Sequence, residues 1–206
     1  MLGKSHLMFT ELVSMTAISM SHGVAKYGLI GTGLFLAGAG LGSLVPDVDS
    51  KNSLINKLLP IKLNSLFNHR GLTHTLWAWI VFSLVCWGVW LWWPHQTVDT
   101  WSWHYAMEAV PIGLTWGYMW HLLEDSWSWN GVVWTYPFGP IDQWTYQHRH
   151  GRIARPVISW TEDHKPIRHW WGMGYKVGSE DEAGLVGLAL IILVATWLVQ
   201  GLLRLL

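Results

Sequence analysis

The sequence predicts an all-α fold, an integral membrane helical bundle of about four to five transmembrane helices. Hydrophobic residues make up 51% of the 206-residue chain and only 13% of residues are charged, about half the usual share. The apolar residues gather into segments long enough to cross a bilayer, and 18 tryptophans supply amphipathic rings for the membrane–water interface. Such a composition excludes a disordered chain. A formal net charge of zero leaves no basic excess to neutralise phosphates, so nucleic acid is not an expected partner; membrane lipid is. Cys86 is the single cysteine, which excludes an intramolecular disulfide framework and a cysteine-rich zinc finger.

Each segment has its own signal. Residues 7–21 are moderately apolar and hold Glu11; without a clear signal-peptide core or cleavage site they read as a retained, short or partly embedded helix. Residues 27–45 are uncharged and carry Gly31, Gly33, Gly38, Gly40 and Gly42, which permit close helix packing in lipid. Residues 75–93 carry no charge and gather Trp90, Trp92 and Trp93 at one end, where an interfacial belt would sit. Residues 105–123 contain Glu108 and Pro111 and run into His121. The clearest span is 184–206, with Arg204 as its one charge and a helical length of about 35 Å against a hydrocarbon core of about 30 Å. The chain reads as one integral membrane domain, 1–206, with a core at 1–140, a loop region at 141–183 and the last helix at 184–206.

If all five segments cross and the N-terminus is cytoplasmic, every Lys and Arg except Lys26 and Arg204 falls on the cytoplasmic side. That bias commits the reading to N-inside, with the loops at 46–74 and 124–183 setting the orientation.

Ligand-type residues do not scatter evenly along this frame. His6 lies at the N-terminus, Asp47 and Asp49 follow Pro46, His69 and His74 precede the segment at 75–93, and His121 with Asp125 closes the segment at 105–123. All seven fall at the cytoplasmic membrane edge. His121 and Asp125 are four apart and share a helix face, so together they can hold one ion; imidazole nitrogen with carboxylate oxygen suits zinc, manganese or iron(II). Taken singly, each of these groups is ordinary: a helix-surface hydrogen bond, an N-cap aspartate, an interfacial loop. Ionisable groups at membrane depth are costly, and their convergence from four segments predicts a site for two or three divalent ions, zinc foremost. Spacing alone does not choose between Asp47 and Asp49, or between His69 and His74.

His6, the PDVD at 46–49, the HRGLTHT at 69–75, the HLLED at 121–125 and the GVVWTYPFGP at 131–140, in this order, resemble the YdjM-like family of predicted inner-membrane metal-dependent hydrolases. That family is distantly similar to zinc-dependent phospholipases C and single-strand-specific zinc nucleases, all-helical enzymes with clustered metal ions. The resemblance implies phospholipase C-like metal-site helices in a bacterial inner membrane protein. It implies ligands at His6, one of Asp47 and Asp49, one of His69 and His74, and His121 with Asp125. The soluble relatives use an N-terminal Trp and further downstream His and Glu ligands. Here the chain starts Met1-Leu2-Gly3, and His148, His150, His164, His169 and Glu162 are the available downstream substitutes.

The expected activity is hydrolysis of a phosphoester, a phospholipid headgroup by location, through metal-activated water. Asp47 or Asp49 would serve as general base, Glu124 as a fallback or a support for a ligand, and Arg70 would hold a phosphoryl group. Two other classes stay open at this stage: a transporter with an ion pathway, and a structural membrane protein with a non-catalytic metal.

Overall fold

The computed structural model describes residues 3–21, 23–50, 53–58, 72–93, 101–128, 132, 134 and 179–203. Among them the chain is all helical. Helix α1 spans Gly3–Met20, α2 Gly23–Leu44, α3 Leu54–Leu58, α4 Leu76–Trp92, α5 Trp101–Ser126 and α6 Glu180–Leu203, with 3-10 turns at Pro46–Asp49 and Leu72–His74.

Four of the five long helices begin ahead of the segments expected from hydropathy, and the helix Leu76–Trp92 falls within its segment. α1 begins at Gly3, so His6 lies inside a helix rather than in a leader ahead of one. α5 carries Pro111 in its interior and runs on to Ser126, taking up the whole of HLLED. α6 starts four residues earlier than its apolar run, on Glu180, Asp181 and Glu182. Carboxylates in a first turn complement the positive end of the helix dipole, a signal that hydropathy does not register. Gly28 sits in α2 at φ 67°, a left-handed conformation that glycine adopts without penalty, and it kinks the helix near its start.

Among the described residues, two helices are long and apolar enough to cross a membrane, Tyr27–Asp49 and Glu180–Leu203. α4 is apolar throughout, but its 17 residues rise only about 26 Å. α1 and α5 carry too many polar residues for hydropathy alone to mark them, because they supply the bundle's polar interior. α4 buries no residue and turns Trp77, Val81, Leu84, Val89 and Leu91 outward; α6 does the same with Leu188, Ile191, Val194, Leu198 and Leu202. An apolar surface of that extent is suited to lipid rather than water.

The closest packing joins α2 to α5. The two helices meet backbone to backbone through glycines four apart on each, Gly38 and Gly42 against Gly113 and Gly117. A Cβ at Gly38 would lie 2.9 Å from the Val110 carbonyl oxygen, and one at Gly117 would lie 2.7 Å from the Ala39 carbonyl carbon and 2.8 Å from Ser43 N. This is the small-xxx-small packing used between helices in lipid.

The contacts also fix the helix directions. His6 meets Glu124 while Ser14 meets Trp116, so α1 and α5 are antiparallel. Gly31 lies against Ala106 and Ser43 against His121, so α2 and α5 are parallel. Thr73 bonds Tyr118 while Trp79 bonds Thr115, so α4 opposes α5. Phe9 packs with Ala189 and Ser19 bonds Gln200, so α6 parallels α1. The N-terminal ends of α1, α4 and α6 and the C-terminal ends of α2 and α5 therefore share one end of the bundle.

Candidate metal centre

That shared end holds the ionisable residues. His6, His74 and His121 are fully buried, Glu124 and Asp125 nearly or fully so, and Asp49 is 3% exposed. Four elements deliver them, two helices and two 3-10 turns, and each does so for a local reason.

His121 and Asp125 occupy successive turns of α5 and face the same way, with Glu124 between them turned toward α1. Pro46 starts the 3-10 turn that carries Asp47 and Asp49; two residues in a threefold turn point in different directions, so the two carboxylates separate. His74 ends the second 3-10 turn, immediately before Thr75. Thr75 caps α4 by accepting from Ala78 N at 3.1 Å, and its hydroxyl donates to the Leu72 carbonyl at 2.9 Å. On α1, His6, Thr10 and Ser14 repeat every four residues and form a buried polar stripe against α5.

Each histidine is held by its Nδ1. His6 Nδ1–H donates to Glu124 Oε2 at 2.7 Å, and His121 Nδ1–H donates to the Ser43 carbonyl at 2.6 Å. His74 Nδ1 lies 3.1 Å from Thr73 Oγ1 and 3.2 Å from Asp49 Oδ2. With the proton on Nδ1, each Nε2 keeps its lone pair, and the three Nε2 atoms turn inward.

The inward atoms lie at the spacing of a coordination shell. His74 Nε2 and His121 Nε2 are 3.2 Å apart. Asp125 Oδ2 is 3.5 Å from the first and 3.7 Å from the second, and Asp47 Oδ1 is 3.9 and 3.8 Å from them. Ligands on a tetrahedral zinc at bonds of about 2.0–2.1 Å are themselves about 3.3 Å apart. Asp125 turns its other oxygen, Oδ1, toward His6 Nε2 at 3.4 Å. Buried groups able to hold an ion thus form two triads, His6–His121–Asp125 and Asp47–His74–His121. His6 Nε2 is fully buried and has no hydrogen-bond partner. A lone pair left without a donor in a site lined by carboxylates fits a cation.

A model of the YdjM inner membrane protein family matches residues 1–205. The chain belongs to that family. No curated protein and no solved structure matches it.

In this YdjM-family protein the match extends beyond the motif-bearing region, through residues 141–183 and the C-terminal helix. The structure brings together His6, Asp47, His74, His121 and Asp125 as inward donors. It sets Asp49 behind His74 and Glu124 behind His6. His69, Arg70, Glu162, His148, His150, His164 and His169 lie outside the described residues. Asp47, whose side chain is 13% exposed, is the donor nearest the outside. Sequence reasoning did not single out Thr10, Ser14, Thr73, Trp116 or Tyr118. The four-residue repeat from His6 marks the first two, and the threonine beside His74 marks the third. Trp116 Nε1–H donates to Ser14 Oγ at 3.0 Å, and Tyr118 O–H donates to the Thr73 carbonyl at 2.6 Å, so both pin donor-bearing elements onto α5.

Proposed function

We propose that this inner membrane protein is a metal-dependent hydrolase acting on a phosphoester, with a site for two zinc-type ions at the cytoplasmic membrane edge. The observation that carries the reading is the common pose of three buried histidines: each is tethered through Nδ1, and each turns Nε2 toward the carboxylates of Asp125 and Asp47. His6, His121 and Asp125 would hold one ion and Asp47 with His74 the other, Asp125 offering an oxygen to each; the Nε2 of His121 is in reach of both triads and can serve only one ion at a time. When bound, such ions polarise a phosphoryl oxygen and acidify water near neutral pH.

The protein's own residues contribute position and exclusion of water. Burial of the donors lowers the local dielectric and strengthens each electrostatic contact. Asp47, at the open edge, is the donor placed nearest a substrate arriving from the membrane surface. Asp49 and Glu124 face ring nitrogens instead of the open edge, which argues against either as the general base. The five long helices alternate in direction, and with the basic residues of the loops at 46–74 and 124–183 this supports five crossings with the N-terminus inside. Headgroup phosphoesters are the substrates such a location makes available. A transporter would need ionisable groups through the depth of the bundle, whereas these donors share one end.

The test is hydrolysis of phospholipid vesicles and of a soluble aryl phosphodiester by detergent-purified protein supplied with Zn(II) or Mn(II). Turnover lost in Asp125→Asn supports the reading. Wild-type protein that binds metal yet turns over neither substrate favours a structural ion.

A further inference from the structure

Two buried carboxylates occupy the same relation to two histidines, and a threonine stands behind each. Thr10 Oγ1–H donates to Glu124 Oε1 at 2.9 Å, and Glu124 Oε2 accepts from His6 Nδ1–H at 2.7 Å. Thr73 Oγ1–H donates to Asp49 Oδ2 at 2.6 Å, and His74 Nδ1 lies against both partners, 3.2 Å from that oxygen and 3.1 Å from Thr73 Oγ1. The sequence relations are unrelated. Thr10 and Glu124 are 114 residues apart on two helices, whereas Thr73 adjoins His74 and reaches Asp49 from one 3-10 turn to another. A threonine, a carboxylate and a histidine Nδ1 are therefore grouped twice from different elements, in a chain at His6 and in a three-way contact at His74. The third histidine, His121, is held by a neutral backbone carbonyl.

We propose that Thr10–Glu124 and Thr73–Asp49 are paired positioning units that fix His6 and His74 with Nε2 directed at the metal ions, and that neither carboxylate is a ligand or a base. The proposal rests on the metal-site reading above. A carboxylate on Nδ1–H fixes the tautomer and makes Nε2 a stronger donor. The threonine hydroxyl fixes the carboxylate in turn, so that it does not rotate its charge into the site. The Thr73–Asp49 bond has the length of a charge-assisted one, and the Thr10–Glu124 bond is of ordinary length; both can hold a carboxylate in place.

The experiment measures Zn(II) affinity of the full chain in detergent by competition with a chromogenic chelator, alongside the ligand-field spectrum of the Co(II)-loaded protein. Thr10→Val and Thr73→Val remove one hydroxyl each at nearly constant volume. Each is expected to weaken Zn(II) binding by roughly 10-fold, and Glu124→Gln by up to about 100-fold. Stoichiometry and the Co(II) spectrum at saturation stay as in wild type, and Thr10→Ser and Thr73→Ser restore the affinity. A Glu124→Gln protein whose stoichiometry falls, or whose saturated spectrum changes, makes Glu124 a ligand and overturns the proposal. Threonine variants with wild-type affinity and a lowered melting temperature make the hydroxyls purely structural and overturn it too. Wild-type protein that binds no Zn(II) or Co(II) overturns the metal reading itself, and the positioning role with it.

Discussion

Substituting Gly117→Ala links the packing of the bundle to the chemistry of its buried end. The new Cβ would lie 2.7 Å from the Ala39 carbonyl carbon and 2.8 Å from Ser43 N, with the Ala39 carbonyl oxygen closer still. All three are backbone atoms of α2, so no side-chain rotation relieves the overlap. Reaching ordinary contact near 3.4 Å from that oxygen, the nearest of the three, requires α2 and α5 to part by about 1.5 Å at this level. Ser43, one of the displaced residues, supplies the carbonyl that accepts from His121 Nδ1–H at 2.6 Å. Parting the helices stretches that bond beyond good geometry and frees the imidazole to rotate. Overpacking costs roughly 1–3 kcal/mol and the lost hydrogen bond roughly 0.5–1.5 kcal/mol, so a destabilisation of about 1.5–4.5 kcal/mol follows. The assay is thermal unfolding in a fixed detergent with bound metal measured on the same preparations. Gly187→Ala is the control, because nothing lies within 4 Å of a Cβ there and alanine favours the helix. Gly117→Ala is expected to melt at lower temperature and to lose metal, while Gly187→Ala holds or gains stability. Indistinguishable melting and metal content in the two variants would refute the reasoning from close packing to site geometry.

Trp116→Phe removes the 3.0 Å bond to Ser14 while keeping most of the ring's bulk; a loss of about 1 kcal/mol is expected, and Ser14→Ala in the same background should add little. Ser19 and Gln200 exchange two hydrogen bonds at 2.7 and 2.8 Å between α1 and α6, so a Ser19→Ala/Gln200→Leu double-mutant cycle in detergent should give a coupling of about 0.6 kcal/mol; additive single effects would count against the parallel pairing of these helices. Five crossings with the N-terminus inside put the two chain ends on opposite sides. A fluorescent protein fused at residue 1 and a periplasm-dependent phosphatase fused after residue 206 should then both be active, and an inactive phosphatase fusion would contradict the topology.

Much of the fold was legible because hydropathy reports burial in lipid directly. The runs at 27–45, 75–93 and 184–206 correspond to α2, α4 and α6. Helix ends were less legible, since residues such as Glu180 are placed by the helix dipole and Gly3 by packing, neither of which shows as an apolar run. The donors were visible as residue types, and their common level followed from alternating helices. That Asp47 turns toward His121 Nε2 and Asp49 toward His74 Nδ1 was not visible. It depends on the handedness of a 3-10 turn and on Thr73, which sits 24 residues away from Asp49. The glycines of α2 announced close packing, but their partners Gly113 and Gly117 lie in a segment whose Glu108, Pro111 and His121 drew attention instead. Glu124 read as a fallback base or a support for a ligand, because sequence shows a carboxylate beside ligands and not the ring nitrogen it faces.

Bound metal per chain tests the centre most directly. Protein purified in detergent without chelator, wild type beside a His121→Ala/Asp125→Ala variant, is measured by inductively coupled plasma mass spectrometry. Two equivalents of zinc, manganese or iron in the wild type, lost in the variant, is the expected result. A wild type that carries no transition metal, and takes up none on incubation with Zn(II) or Mn(II), would contradict the assignment of these five donors.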